Sequence, residues 1–211
     1  DLHLCDRRQR QMCIRDRGTI DYFCGVYAII NAFRCAAQHQ KELTYREGCL
    51  FYQRLIKFLI KKDCFKEVLC HGMDCALLAD LLKKADRYTR KNFGLAMDFQ
   101  TPYAKTKKSP QEVVNEIGDY LKQEQTAWII RLNNRNLGDH WSVGTSVTHH
   151  GTVNLFDSYG CTRFDANKAV WVPPIKKSDI TPDNPTGMTE PPKGKTLLLK
   201  EGQILIKIRP V

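Results

Sequence analysis

The chain has 211 residues, of which 42% are hydrophobic and 27% charged, a globular composition that excludes disorder for most of its length. That length suits one domain with a single sizeable core, and no apolar run is long enough to cross a membrane. Lysine and arginine number 33 against 23 acidic residues, a net +10 that favours acidic partners without specifying any. No repeat of solenoid or propeller length is visible.

Asp1 to Arg17, DLHLCDRRQRQMCIRDR, has neither helical nor strand periodicity and no signal-peptide core. It resembles the translated sequencing-adaptor read-through at the ends of some metagenomic proteins and is set aside as a non-native scar, with the native N-terminus expected to be missing. A natural basic arm is the alternative. Residues 18–211 are expected to form the domain.

Apolar Val26, Ile29, Ile30 and Phe33, with four alanines between Ala28 and Ala37, predict a helix from about Ile20 to Gln38, with Asp21 as its cap. Leu50 to Ile60 is a second amphipathic helix, and Asp74 opens a third, CALLADLLKKA. Ser109-Pro110-Gln111-Glu112 is a capping box with proline at the first helical position. The period then changes. Strands are expected at Thr126–Leu132, Trp141–Val147, Thr152–Phe156 and Ala169–Val172, with a hairpin of Thr196–Leu199 and Gln203–Ile208 around Glu201-Gly202. Pro173 to Lys195 holds six of the nine prolines and reads as a long surface loop. Helices first and strands second predict an α+β domain, helices packed on a C-terminal antiparallel sheet.

Nine cysteines, an odd number with no secretory signal before them, read as reduced thiols in a reducing, cytoplasmic compartment. Cys64, Cys70, His71 and Cys75 come nearest to a metal set but lack paired Cys-x-x-Cys knuckles, so neither a metal nor a cofactor is expected.

Three residues could do chemistry together. Cys24 stands at the mouth of the first helix, where free N–H groups and the helix dipole favour a thiolate, and its own N–H is a candidate oxyanion donor. His140 opens a strand and can act as general base and acid. Asp157 ends the next strand and can orient that imidazole. A two-residue tip at Thr148-His149 would set His140 directly opposite Asp157, with Cβ atoms roughly 4.5–5.5 Å apart. Gly25, which would let a substrate backbone approach, and Trp141 are the accompanying candidates for oxyanion and substrate binding. Taken singly, each residue has a plainer role: a buried thiol, a structural histidine and a turn aspartate. His39 and His71 lie at helix ends, and His149 and His150 at a hairpin tip.

Cys24-Gly25-Val26-Tyr27-Ala28, Gly72-Met73 before a Leu-rich helix, His140-Trp141-Ser142-Val143 and Phe156-Asp157-Ser158-Tyr159-Gly160 together resemble a papain-like cysteine peptidase. The order Cys, His, Asp is most similar to the bacteriocin-processing (double-glycine leader) peptidase-like group. The phrases Cys-Gly-Val-Tyr, His-Trp and Asp-Ser also resemble ubiquitin-like-protein proteases, of whose order this chain would be a circular rearrangement. The resemblance implies Cys24 as nucleophile, His140 as base and acid, and Asp157 as orienting carboxylate. It also implies a protein or peptide substrate cleaved at a peptide or isopeptide bond through a thioester. Both families place an oxyanion-hole glutamine several residues before the cysteine. Here Gly18 stands six residues before Cys24, and Gln9 and Gln11 lie in the atypical segment, so a chain lacking that donor would lose about 10²–10³ in rate.

Two other readings use the same residues or charge. An acyl transferase, transglutaminase-like, would pass the same thioester to an amine. A non-catalytic basic nucleic-acid-binding module would use Lys57, Lys61, Lys62, Lys66 and Lys105, Lys107, Lys108. No basic stripe with interleaved aromatics accompanies those lysines, which weighs against nucleic acid. Oligomeric state is not legible.

Overall fold

The computed structural model describes residues 22–135, 138–157, 160–173, 181 and 189–211. The atypical first segment, Asp21, Ser158, Tyr159 and most of the proline-rich stretch lie outside them.

The first helix, α1 (Cys24–Ala37), is buried nearly all round, as its valine, isoleucines, phenylalanine and small alanines require. Its N-cap is Phe23, and no side chain caps it. Asp21, the expected cap, lies outside the described residues. Helix α2 (Tyr45–Lys61) begins a turn and a half earlier than its Leu/Phe stripe suggests, because Thr44 and Glu47 form a capping box. Three elements went unread in the sequence: the short α3 (Phe65–His71) and the strands β1 (Leu95–Gln100) and β5 (Arg163–Asp165). Between α3 and β1 runs α4 (Cys75–Phe93), where Asp74 accepts from the Leu77 N–H as expected and Gly94 closes the helix at φ +67°. Helix α5 (Pro110–Tyr120) starts at the anticipated Ser109-Glu112 box.

Strands β2 (Thr126–Asn134), β3 (Gly138–Val147), β4 (Thr152–Leu155), β5 (Arg163–Asp165), β6 (Ala169–Trp171) and β7 (Thr196–Pro210) complete the chain. They form one sheet in the order β1-β7-β2-β3-β4-β5, antiparallel throughout that path, with β6 added parallel to β7. The protein is thus a mixed α+β domain built on a largely antiparallel sheet. Helices α1 and α4 cover one face, whose core includes Ile129, Trp141, Val143 and Ile206, and α2 packs on those two helices. Helix α5 covers the other through Trp128, Ile130, Val153 and Leu205.

The expected hairpin around Glu201-Gly202 is one strand instead. Leu197 and Leu198 pair with Asn133 and Leu132, and Gln203 to Lys207 pair with Ile130 to Thr126, so both halves of β7 run along β2 in the same direction. The intervening residues bulge at the register shift between Ile130 and Leu132.

Close sheet–side-chain contact at Gly144 yields a stability prediction. A Cβ there would stand 2.2 Å from Cε3 of Trp128, a fully buried ring whose Nε1 donates to Gln203 Oε1 at 3.1 Å. The ring is packed on all sides and cannot retreat, so Gly144→Ala is expected to lower stability by about 1–3 kcal/mol, read as a lower urea midpoint at unchanged slope.

Candidate functional site

Helix α1 rests on β2 and β3, which carries its N-terminus to the start of β3, where His140 lies. Cys24 is the first residue of α1, so its N–H has no acceptor within the helix. Its half-buried thiol points back towards the Tyr22 carbonyl at 3.9 Å.

The β3–β4 turn is longer than a two-residue tip. The Gly151 N–H donates to Thr148 O and the Thr148 N–H to Thr152 O, both at 2.9 Å, with Gly151 at φ +81°. One extra residue then bulges between Gly144 and Ser146. Gly144 therefore pairs with Leu155, and the Phe156 N–H donates to Val143 O at 2.8 Å. The same register sets Asp157 across from Ser142, not from His140. The displacement is two residues, an even number, so Asp157 stays on the His140 face of the ladder and reaches it along the diagonal. The Asp157 carboxylate meets His140 Nε2 at 2.6 Å, both side chains nearly sealed from solvent. The carboxylate takes Nε2, so Nδ1 is the ring nitrogen left for Cys24, whose proximity raises the His140 pKa.

The electrostatics follow from these two contacts. Burial alone would drive the His140 ring neutral. The hydrogen bonds to Asp157 and to Cys24, with their charges, outweigh it and push its pKa up to about 10. At neutral pH the ring is an imidazolium held against the Asp157 carboxylate and able to donate a proton.

Both accompanying candidates pack inward. A Cβ on Gly25 would stand 2.5 Å from Met73 Sδ and 3.0 Å from Leu78 Cδ1, so glycine here lets α1 pack closely against those two residues. Trp141 is 2% exposed, and its Nε1 donates to Met73 O at 2.9 Å. Gly72, at φ +77°, passes alongside Tyr22, bringing the Gly72-Met73 pair beside the cysteine.

One feature of this region went unread. Arg131 of β2 is buried and makes a two-armed ion pair with Asp139, the residue before His140: Nε to Oδ1 at 2.9 Å and Nη2 to Oδ2 at 2.6 Å. Its guanidinium lies 5.5 Å from the Trp141 ring centroid, and Nη1 reaches Cys75 Sγ at 3.9 Å. Burial works against the charge, but Asp139 holds Arg131 above the usual guanidinium range. The signal was present as an arginine inside the apolar run TAWIIRL. Cys24, Cys49, Cys64, Cys70, Cys75 and Cys161 are free thiols. No group of three metal-ligating side chains comes together among the described residues.

No known protein family matches the chain, and no curated protein does. Among solved structures, the crystal structure of the Pseudomonas avirulence protein AvrPphB aligns over 89% of this chain and 91% of its own, at 10% identity and a TM-score of 0.30. A likeness that slight carries no argument about fold or chemistry.

Proposed function

We propose that the protein is a cysteine peptidase of papain-like architecture, hydrolysing peptide or isopeptide bonds. The observation that supports this reading is the His140 ring, which meets the Asp157 carboxylate at 2.6 Å and whose hold on its proton is strengthened by Cys24 at the start of α1. The nucleophile at the entrance of a buried helix, with the base arriving on a sheet strand, supports the architectural part.

In this mechanism the Cys24 thiolate attacks the carbonyl carbon, and the Cys24 N–H, which has no acceptor within the helix, donates to the developing oxyanion. His140 passes the Nδ1 proton to the departing amine, leaving a thioester. The neutral ring then takes a proton from water, the hydroxide displaces Cys24 as thiolate, and a carboxylic acid leaves. Asp157 holds the ring in the tautomer that presents Nδ1 to sulfur throughout.

The test is selective alkylation. A limiting dose of iodoacetamide at neutral pH, followed by peptide mass mapping, is expected to modify Cys24 ahead of the other thiols. Even labelling across the cysteines would sink the proposal.

A further inference from the structure

Helix α2 turns Phe51, Leu55 and Leu59 inward and shows solvent a stripe carrying Arg46, Leu50, Lys57 and Ile60, flanked by Arg54 and Lys61. Two features set this stripe apart from an ordinary solvated face. Leu50 and Ile60 stand 47% and 56% exposed, about 15 Å apart along the helix, on the face where a soluble helix carries polar groups. The cations also lack counterparts. Glu47 is taken by Lys41 at 2.6 Å, Asp80 by Lys62 at 2.5 Å and Lys83 at 3.2 Å, and Asp86 by Arg90 at 2.8 Å. Those are all the carboxylates of α2 and α4. Arg46, Arg54, Lys57, Lys61, Lys84 and Arg87 pair with none among the described residues. Burial and the fields of Arg54, Arg87 and Lys61 hold Lys84 below the ordinary lysine range, so the charges of both helices act on one surface.

We propose that this face of α2, extended by Lys84 and Arg87 of α4, docks the protein on an anionic lipid surface, with Leu50 and Ile60 entering the headgroup layer. Unpaired cations complement lipid phosphates and carboxylates, and each near such a surface strengthens binding on the order of fivefold. The two aliphatic side chains distinguish the partner: they gain by leaving water among acyl chains but offer no ring for bases to stack on.

The test is sedimentation of the full chain with vesicles of phosphatidylcholine alone and with about one-third phosphatidylserine. Binding is expected only to the anionic vesicles. Lys57→Glu with Lys61→Glu should weaken it on the order of tenfold or more, and Leu50→Ser with Ile60→Ser on the order of tenfold at unchanged charge. Lys105→Glu with Lys107→Glu makes the same charge change in the loop before α5 and should leave binding nearly intact. Equal loss in that control would reduce the effect to net charge and overturn the proposal. So would indifference to the Leu50/Ile60 pair, or tighter binding to duplex DNA than to the vesicles.

Discussion

Replacing His140 by alanine is expected to slow iodoacetamide alkylation of Cys24 at pH 7 by about tenfold or more, and peptide hydrolysis by about three orders of magnitude or more. In the proposed mechanism the His140 imidazolium is the charge that accompanies the attacking sulfur. Loss of the ring removes that charge and also the proton donor for the leaving amine. The pH dependence adds a sharper test. With the His140 pKa pushed up to about 10, the imidazolium persists through neutrality, and activity should fall as pH rises through that value. Asp157→Asn removes the carboxylate that contributes to the upward shift, so the alkaline limb should move down towards the ordinary histidine range. Stability follows the same sign. A raised folded-state pKa contributes fully below the unfolded value near 6.5 and is lost as pH rises through about 10. The stability gap between native protein and Asp157→Asn should therefore be widest in mild acid and close in alkali. An unmoved alkaline limb in Asp157→Asn would show that the 2.6 Å contact is not what holds the proton.

Arg131→Met is expected to destabilise the fold by about 3 kcal/mol, because it leaves the Asp139 carboxylate unpaired with only 19% of that side chain exposed. Combining it with Asp139→Leu should cost clearly less than the two single changes added, since neither charge is then left alone. Urea unfolding of the four proteins closes the cycle. The consequence extends to the site, because Asp139 adjoins His140 and the guanidinium lies over Trp141, which in turn donates to Met73 beside Gly25. Strict additivity in the cycle would show that the pair is not coupled.

Much of the secondary structure was legible because its signals are local. The Ser109-Glu112 box, the Asp74 cap and the alanine-rich apolar period of α1 each act within a few residues, and each stands where expected. Thr44-Glu47 carries the same box signal as Ser109-Glu112 and was overlooked, which shortened α2. The 7-residue α3 is too short for a period to show.

Residue chemistry and spacing along the chain were enough to give the α+β class and to nominate Cys24, His140 and Asp157 as candidates, since thiol, imidazole, carboxylate and apolar period are properties of the residues themselves. Only the folded sheet decided which partners those residues meet. Both halves of β7 join β2 across more than sixty residues of sequence, Arg131 finds Asp139 and Cys75, and Gly25 gives its missing side chain's space to Met73. The turn at Thr148–Gly151 and the bulge after Gly144 moved the register by two residues, yet kept Asp157 on the His140 side because strand faces alternate with a period of two. Pairings of this kind depend on the shape and packing of distant segments, which no local pattern encodes.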